Sequence, residues 1–150
     1  MPIKTDLPMH HIDTSIVVEP ENTDDGRLCK RYLQKVNYNY KGTLSFPVLS
    51  ELFAILASIE DFNGRYDFLE SILATIKSRS IMFYSPKDTS RLLGEIKLAE
   101  ARIGNADREI LACASEDKSY ALVTLDKDML NNKKLESLLR IKILHPKDLL

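Results

Sequence analysis

The alternation of apolar and polar positions along the chain predicts short strands separated by amphipathic helices. Strands are expected at 9–12, 43–46, 81–84, 121–124 and 141–144, and helices at 27–37, 47–58, 65–78, 88–102, 106–116 and 128–139. Strands that alternate with helices form a mainly parallel sheet that is covered on both faces. We therefore expect a single-domain α/β fold, Rossmann-like, with a mainly parallel five-stranded sheet flanked by helices.

Turn signals divide these elements. Residues 1–8, which include two prolines, are expected to form an N-terminal arm, and residues 9–150 the domain. A polar loop is predicted at 19–26 and a break at 61–64. Asn105 is placed to act as the N-cap of the helix that follows it.

Composition narrows the function classes. The chain has 150 residues, of which 44% are hydrophobic, and 21 Lys+Arg against 22 Asp+Glu give a net charge of −1. This balance is typical of one soluble domain and excludes both disorder and a globally basic nucleic-acid binder. Cys29 and Cys113 suggest neither a disulfide framework nor a zinc site. We expect no membrane association, since no apolar run approaches the roughly 20 residues that span a bilayer, and a cytoplasmic location.

Two acidic residues directly follow predicted strands. Asp13 comes after the first strand, and Asp126 follows the strand at 121–124. Ligands of parallel sheets bind beyond the carboxyl ends of the strands, so both side chains are candidates for a ligand site. The alternative for each residue is a role in a turn or helix cap.

Two further acids occupy N-terminal turns of predicted helices, Asp107 in the first turn and Glu51 in the second. Asp107 is in line with the apolar residues Ile110 and Leu111, so its carboxylate is expected at the end of a buried face, where an unpaired charge is costly. Glu51 borders the apolar stripe that includes Val48. The alternatives are a favourable first-turn acid for Asp107 and a solvated rim position for Glu51.

Together these four acids predict a metal site. Strand ends and the helix starts that follow them meet at one edge of a parallel sheet, where four carboxylates would repel one another unless cations lay between them. Hard oxygen ligands suit Mg²⁺ or Mn²⁺, and one or two such ions can activate a water against a phosphodiester.

A segment without acids, from Gly26 to Ser50, contains basic residues interleaved with tyrosines. It is either a solvated helix face or a surface that tracks phosphates and stacks on bases. Its candidate nucleic-acid contacts, hereafter the basic set, are Arg27, Lys30, Arg31 and Lys35, with Tyr32, Tyr38 and Tyr40 as candidate stacking residues. His10 and His11 are interpreted as strand residues that point to opposite faces, the alternative being metal ligation.

Four sequence blocks together resemble the PIN domain family. They are HIDTS at 11–15, SFPVLSEL at 45–52, DREILACA at 107–114 and LVTLDKD at 122–128. Each block is weak alone, but the four occur in the family's order and at the expected element boundaries. The resemblance extends from residue 9 to about 146.

The resemblance implies a PIN-like fold that hydrolyses RNA with Mg²⁺ or Mn²⁺, as VapC-type toxins paired with an antitoxin do. By position it implies Asp13, Glu51, Asp107 and Asp126 as catalytic metal ligands, with Asp128 as a further acid. It also implies that Thr14 or Ser15 holds a metal-bound water and that Thr124 supports the pocket. We expect an endoribonuclease that forms a homodimer. The alternative is a non-catalytic PIN-like RNA-binding or regulatory subunit.

Overall fold

The sheet has five parallel strands in the order β3-β2-β1-β4-β5. The computed structural model describes residues 6–150, so most of the arm predicted at 1–8 lies outside the described residues. This topology confirms the predicted α/β fold. The strands are β1 Met9–Ile12, β2 Lys41–Ser45, β3 Met82–Tyr84, β4 Ala121–Val123 and β5 Lys142–Leu144.

Helices connect the strands and cover the sheet. A 3₁₀ turn, Pro146–Leu149, follows β5. Within residues 6–150 no helix combines the length and apolar character needed to cross a bilayer. The helices are α1 Thr14–Val18, α2 Asp24–Gln34, α3 Phe46–Ser58, α4 Phe62–Ser78, α5 Ser90–Ala99, α6 Asn105–Glu116 and α7 Lys133–Leu139.

Two differences from the sequence prediction lie close to β1. Helix α1 was not predicted, and it begins directly after Asp13. The polar loop expected at 19–26 is shorter, because the Thr23 side chain accepts a hydrogen bond from the backbone of Gly26 and so caps α2. Gly26 is required there, since a Cβ at this position would lie 1.8 Å from the carbonyl oxygen of Pro20.

Capping also moves the starts of other helices. Asp61 caps α4 through the backbone of Gly64, so that helix begins within the predicted break. The N-cap of α6 is Gly104, and the prediction that Asn105 caps this helix is wrong. The Asn105 side chain instead accepts a hydrogen bond of 3.0 Å from Arg108.

The central strand β1 is anchored on both faces. His10 stacks on Tyr40 with 4.4 Å between ring centroids, and its Nδ1 lies 2.8 Å from the Tyr32 hydroxyl. Burial lowers the pKa of His10 to about 4, so the ring is neutral at ordinary pH. On the other face His11 Nε2 lies 2.8 Å from Asp117. Both histidines are therefore strand residues, as predicted, and they hold β1 between α2 and α6.

The sheet order defines where a ligand site can form. Chain connections run from β1 outward through β2 to β3 on one side, and return to β4 and β5 on the other side. The carboxyl ends of β1 and β4 therefore border the point where the strand order reverses, which is the usual ligand crevice of such sheets. A backbone hydrogen bond of 3.0 Å from Asp13 to Val123 closes this end of the β1–β4 pair.

Candidate active site

Asp13 is the most buried acid at this edge, with 4% of its surface exposed. It occupies the N-cap position of α1 in an extended conformation, yet its side chain makes no capping hydrogen bond. Its Oδ2 instead accepts hydrogen bonds of 2.7 Å from both Ser15 and Thr124. The alternative role of Asp13 as a cap is thus wrong for the side chain, which is held toward β4.

Ser15 and Thr124 join the two strand ends into one network. Ser15 Oγ also accepts a hydrogen bond of 3.1 Å from the backbone of Leu125, and Thr124 Oγ1 accepts one of 3.0 Å from the backbone of Asp126. The hydroxyls donate to Asp13 and accept from the turn after β4. They therefore fix the distance between the acids of β1 and β4 without adding any charge.

Asp126 has both a turn role and a site role. One carboxylate oxygen accepts a hydrogen bond of 2.8 Å from the backbone N–H of Asp128. This contact forms a turn, the role that the sequence analysis gave as the alternative for Asp126. After burial and the charge of Asp13, the charge of Asp126 is a further cause of the raised pKa of Asp107. Asp126 thus connects the turn after β4 to the start of α6.

Glu51 reaches the site from the second turn of α3. Thr14 donates a hydrogen bond of 3.1 Å to Glu51 Oε1 across the gap between α1 and α3. The pKa of Glu51 is raised, chiefly by burial and also by the charge of Asp13, while the hydrogen bond from Thr14 lowers it. Thr14 therefore orients Glu51 in the way that Ser15 and Thr124 orient Asp13.

The pKa of Asp107 depends on its burial and on the charges of the three other acids. Its partial burial, followed by the charges of Asp13, Asp126 and Glu51, raises its pKa to about 6. Asp107 lies in the first turn of α6, whose N-cap, Gly104, has no side chain. We name these four residues, Asp13, Glu51, Asp107 and Asp126, the acidic site.

The donor set fits a hard divalent cation in chemistry. The acidic site offers carboxylate oxygens framed by hydroxyls, the ligands that Mg²⁺ and Mn²⁺ prefer, and a cation would relieve the repulsion that raises the pKa of Asp107. Among residues 6–150, however, no group of three or more His, Cys, Asp or Glu side chains is close enough to form a coordination shell. Water would therefore complete the shell, or the side chains would close on the ion.

Asp128 stands apart from the acidic site. It is exposed, and its charge contributes to the raised pKa of Arg102 rather than to that of Asp107. Its backbone N–H supports Asp126. A ligand role for Asp128 therefore has no support from the described contacts.

The tyrosines of the acid-free segment do not form a base-stacking surface. Tyr32 and Tyr40 are buried against His10, so only Tyr38 is exposed, and the Arg79 guanidinium lies 5.9 Å from its ring. The sequence pattern did not reveal this, because aromatic residues at helical spacing occur on both surface and core faces. Three residues of the basic set lie on α2, and the fourth, Lys35, is its C-cap. Arg27 is paired with Asp24, and Lys30 lies 3.5 Å from Glu21.

A cleft beside Glu51 was missed by the sequence analysis. It has a volume of about 480 Å³ and runs between α3, the β3–α5 connection and α6. The signal that could have revealed it is Phe46, a large apolar residue at the first position of a helix whose apolar stripe begins two positions later.

The fold is shared with solved structures. A chain of VapBC2 from Rickettsia felis bound to a DNA fragment from their promoter matches with a TM-score of 0.66 and 20% identity, over 91% of this chain and 98% of that one. A chain of FitAcB from Neisseria gonorrhoeae gives 0.66 and 18%, over 93% and 99%. VapBC-5 from Mycobacterium tuberculosis, a member of the VapBC family of toxin–antitoxin systems, gives 0.60 and 16%, over 92% and 98%.

At these identities the likeness establishes the fold. No model of a protein family matches the chain, and no curated protein matches it either. The chain has a PIN-like fold, as the four sequence blocks predicted.

The raised pKa of Asp107 gives a prediction for stability. Its pKa is about 6 in the folded protein against an ordinary 3.8, so the folded state binds more protons between these values. Stability of the metal-free protein should therefore fall as pH rises through this window. Asp107→Asn should be equally stable or more stable in EDTA above about pH 6. Solvent screening of this half-buried group limits the gain to on the order of 1 kcal/mol, and the gain should vanish near pH 4.

Melting curves in EDTA across this pH range test the prediction, with the exposed Asp67→Asn on α4 as the control. With added Mn²⁺ the wild type should melt at a higher temperature than Asp107→Asn, because metal binding to the native state stabilises that state. If Asp107→Asn is clearly less stable in EDTA at neutral pH, Asp107 is a structural helix-start acid.

Proposed function

We propose that the chain is a divalent-metal-dependent endoribonuclease that hydrolyses RNA phosphodiesters. The observation that carries this proposal is the hydrogen-bond network at the edge where β1 and β4 end, in which Ser15 and Thr124 hold Asp13. In the same network Thr14 holds Glu51. The raised pKa of Asp107, caused by burial and then by the charges of the other three acids, supports the proposal. A structural role gives no reason to gather like charges there. We expect the protein to act in the cytoplasm, where its RNA substrate is found.

The acidic site would hold Mg²⁺ or Mn²⁺, which supplies a Lewis acid at the scissile phosphate and a water of lowered pKa. Asp13 would bind with the least rearrangement, since Ser15 and Thr124 already fix its Oδ2. Filling the site would favour the ionised form of Asp107, because a cation lowers the pKa that burial and the other acids raise.

Neutral residues complete the proposed chemistry. The Thr14 hydroxyl, which holds Glu51 Oε1, and the Ser15 hydroxyl, which holds Asp13, are placed to orient a water beside these acids. Thr124 keeps Asp13 and the Asp126 backbone in register. These residues position the acids and the water, and they carry no charge of their own that would compete for the cation.

The neighbouring structures support the class of this proposal. VapBC-5, described as a member of the VapBC family of toxin–antitoxin systems, shares the fold over 98% of its matched chain. The second candidate, a non-catalytic RNA-binding or regulatory subunit, is favoured by the spacing of the carboxylates, which form no ready coordination shell within residues 6–150.

A cleavage assay separates the two candidates. Purified protein should cut single-stranded RNA in Mn²⁺ or Mg²⁺ and lose this activity in EDTA. Asp107→Asn should lower the rate by roughly 100-fold or more, as expected when a ligand of a catalytic ion is lost. The exposed control Asp67→Asn should retain the wild-type rate. Activity that survives EDTA, or that Asp107→Asn leaves intact, excludes the metal-dependent mechanism.

The basic set is proposed to contact the RNA backbone. Its residues lie on α2 and at its C-cap, and this helix follows α1 and the Asp13 strand end in the chain. Two of the four already have acidic partners, so phosphate binding must displace these weak surface pairs.

Replacing the basic set by glutamine should weaken binding for all RNA sequences alike and flatten the dependence of affinity on salt. The measurement is the affinity for single-stranded RNA over a salt series. A control with the same change in net charge replaces four exposed basic residues elsewhere: Arg91, Lys97, Lys118 and Lys134. Equal salt slopes for the two fourfold variants mean that the basic set is a solvated helix face.

We further propose that an antitoxin protein covers an apolar groove between α3 and α4. Phe53 is 64% exposed and Leu73 is 54% exposed, although both are large apolar residues. The groove has a volume of about 260 Å³, and its polar lining is negligible. Such a surface fits the apolar face of an amphipathic helix. Its remaining lining residues are Leu49, Leu52, Leu56, Phe68, Leu69, Ile72, Ile76 and Phe83.

Inhibition distinguishes an antitoxin from a second copy of the chain. A protein that co-purifies with the wild-type chain is identified and then co-expressed with it. This protein should inhibit RNA cleavage by the wild type, but it should not inhibit cleavage by the double variant Phe53→Ser, Leu73→Ser. Light scattering on the purified chain tests the predicted homodimer. If the double variant converts a dimer to a monomer and no inhibitor binds, the groove is the dimer interface.

A further inference from the structure

The cleft beside Glu51 has one wall in common with the acidic site. Glu51 lines the cleft and is oriented by Thr14 at the same time. The volume of the cleft, about 480 Å³, lies within the range of small-ligand pockets. A molecule bound at the acidic site therefore has space to extend past Glu51 into this cleft.

The walls of the cleft are mostly apolar. Phe46 is 57% exposed at the first position of α3, and Pro47 follows it in the same helix. Pro86 lies in the connection after β3, and Ala106 in the first turn of α6. An exposed aromatic ring beside a candidate active site is a surface that gains from being covered.

The charged residues that line the cleft restrict which part of an RNA molecule can bind there. The lining includes Glu51 and Glu109 but no lysine or arginine. Carboxylates repel phosphate, so the RNA backbone does not run through the cleft. A neutral, flat ring fits both the apolar walls and this charge, and a nucleobase that is turned out of the stack is such a ring.

The far wall is fixed in place by α6. Glu116 accepts hydrogen bonds of 2.8 Å and 2.9 Å from the backbones of Lys87 and Asp88, and it also accepts one from the Tyr84 hydroxyl. These bonds hold both ends of the segment that contains Pro86. The cleft is therefore formed before a ligand arrives, which reduces the entropy cost of binding.

We propose that this cleft binds one unstacked base of the RNA, next to the phosphate at the acidic site, with Phe46 as its stacking platform. The inference rests on the proposed function and adds to it a subsite for a base. It makes Phe46 a determinant of how RNA is positioned, whereas the acidic site acts on the phosphate.

The test measures the affinity for a short labelled single-stranded RNA in Ca²⁺, which binds oxygen ligands. Stacking on an aromatic residue contributes roughly 1–3 kcal/mol per base, so Phe46→Ala should raise Kd by about 5-fold or more. Phe46→Tyr should restore binding to within about twofold of the wild type, because it keeps the ring. The matched control is Phe62→Ala, since Phe62 is also an exposed phenylalanine at the first position of its helix and does not line the cleft.

A second arm identifies the base. The same strand is prepared with a single abasic nucleotide at each position in turn. At one position the abasic strand should bind wild type and Phe46→Ala equally, because the base that stacks on Phe46 is missing. Melting curves of the variants confirm that each is folded.

Several outcomes overturn the proposal. These are an unchanged Kd for Phe46→Ala, an equal loss for Phe62→Ala, a Phe46 effect that persists in every abasic strand, and no binding of RNA by the wild type. If Phe46→Ala weakens only the binding of a protein inhibitor, the cleft belongs to a protein partner. Cleavage is scored separately: RNA cutting without a Phe46 effect removes the base subsite alone, whereas Phe46-dependent binding without cutting removes the catalytic proposal alone.

Discussion

Repulsion between carboxylates at one edge of the sheet is the constraint on which the site depends. Asp13 is almost fully buried, and the pKa of Asp107 is raised to about 6 by burial and by the other acids. A flexible edge would let such charges separate. This edge cannot, because each acid is attached to an element whose position is set by the parallel sheet or by a helix packed on it.

Neutral hydroxyls are the means by which the fold resists this repulsion. Thr14, Ser15 and Thr124 satisfy carboxylate oxygens without adding charge, and Ser15 and Thr124 also accept backbone hydrogen bonds from the turn after β4. Hydrogen bonds to an ionised group are stronger than those between neutral groups, so a few of them offset part of the repulsion. The central strand β1 is also held on both of its faces, because His10 is buried on one face and His11 on the other.

Sequence reasoning located the strands and the acids that directly follow them. Asp13 and Asp126 could be placed because a strand end and an acid are adjacent in the sequence, and the parallel topology then places both acids at one edge. It failed where a side-chain contact that the local pattern does not show decided the outcome. Asn105 has the side chain of a good cap, but Arg108 binds that side chain and Gly104 takes the cap position.

The aromatic residues and the cleft show the same limit. Tyr32 and Tyr40 have the same spacing whether they face solvent or His10, and only the packing of α2 on β1 shows that they are buried. The cleft beside Glu51 is made by three elements that are distant in sequence, so its only local signal is the apolar Phe46 at the start of α3. Helix α1 was missed because five residues are too few to show a helical period.

The hydrogen bond between Asp13 and Thr124 joins residues that are 111 positions apart, and this separation has a consequence for the chain during translation. A growing chain contains Asp13 and Glu51 long before the ribosome has added β4. Contacts between distant residues form late, since the entropy of closing the intervening loop must be overcome first. A nascent chain that ends before β4 therefore lacks Asp126, and it lacks Thr124 to brace Asp13. The complete arrangement of acids proposed to cut RNA does not exist while the first 120 codons of its own message are being read.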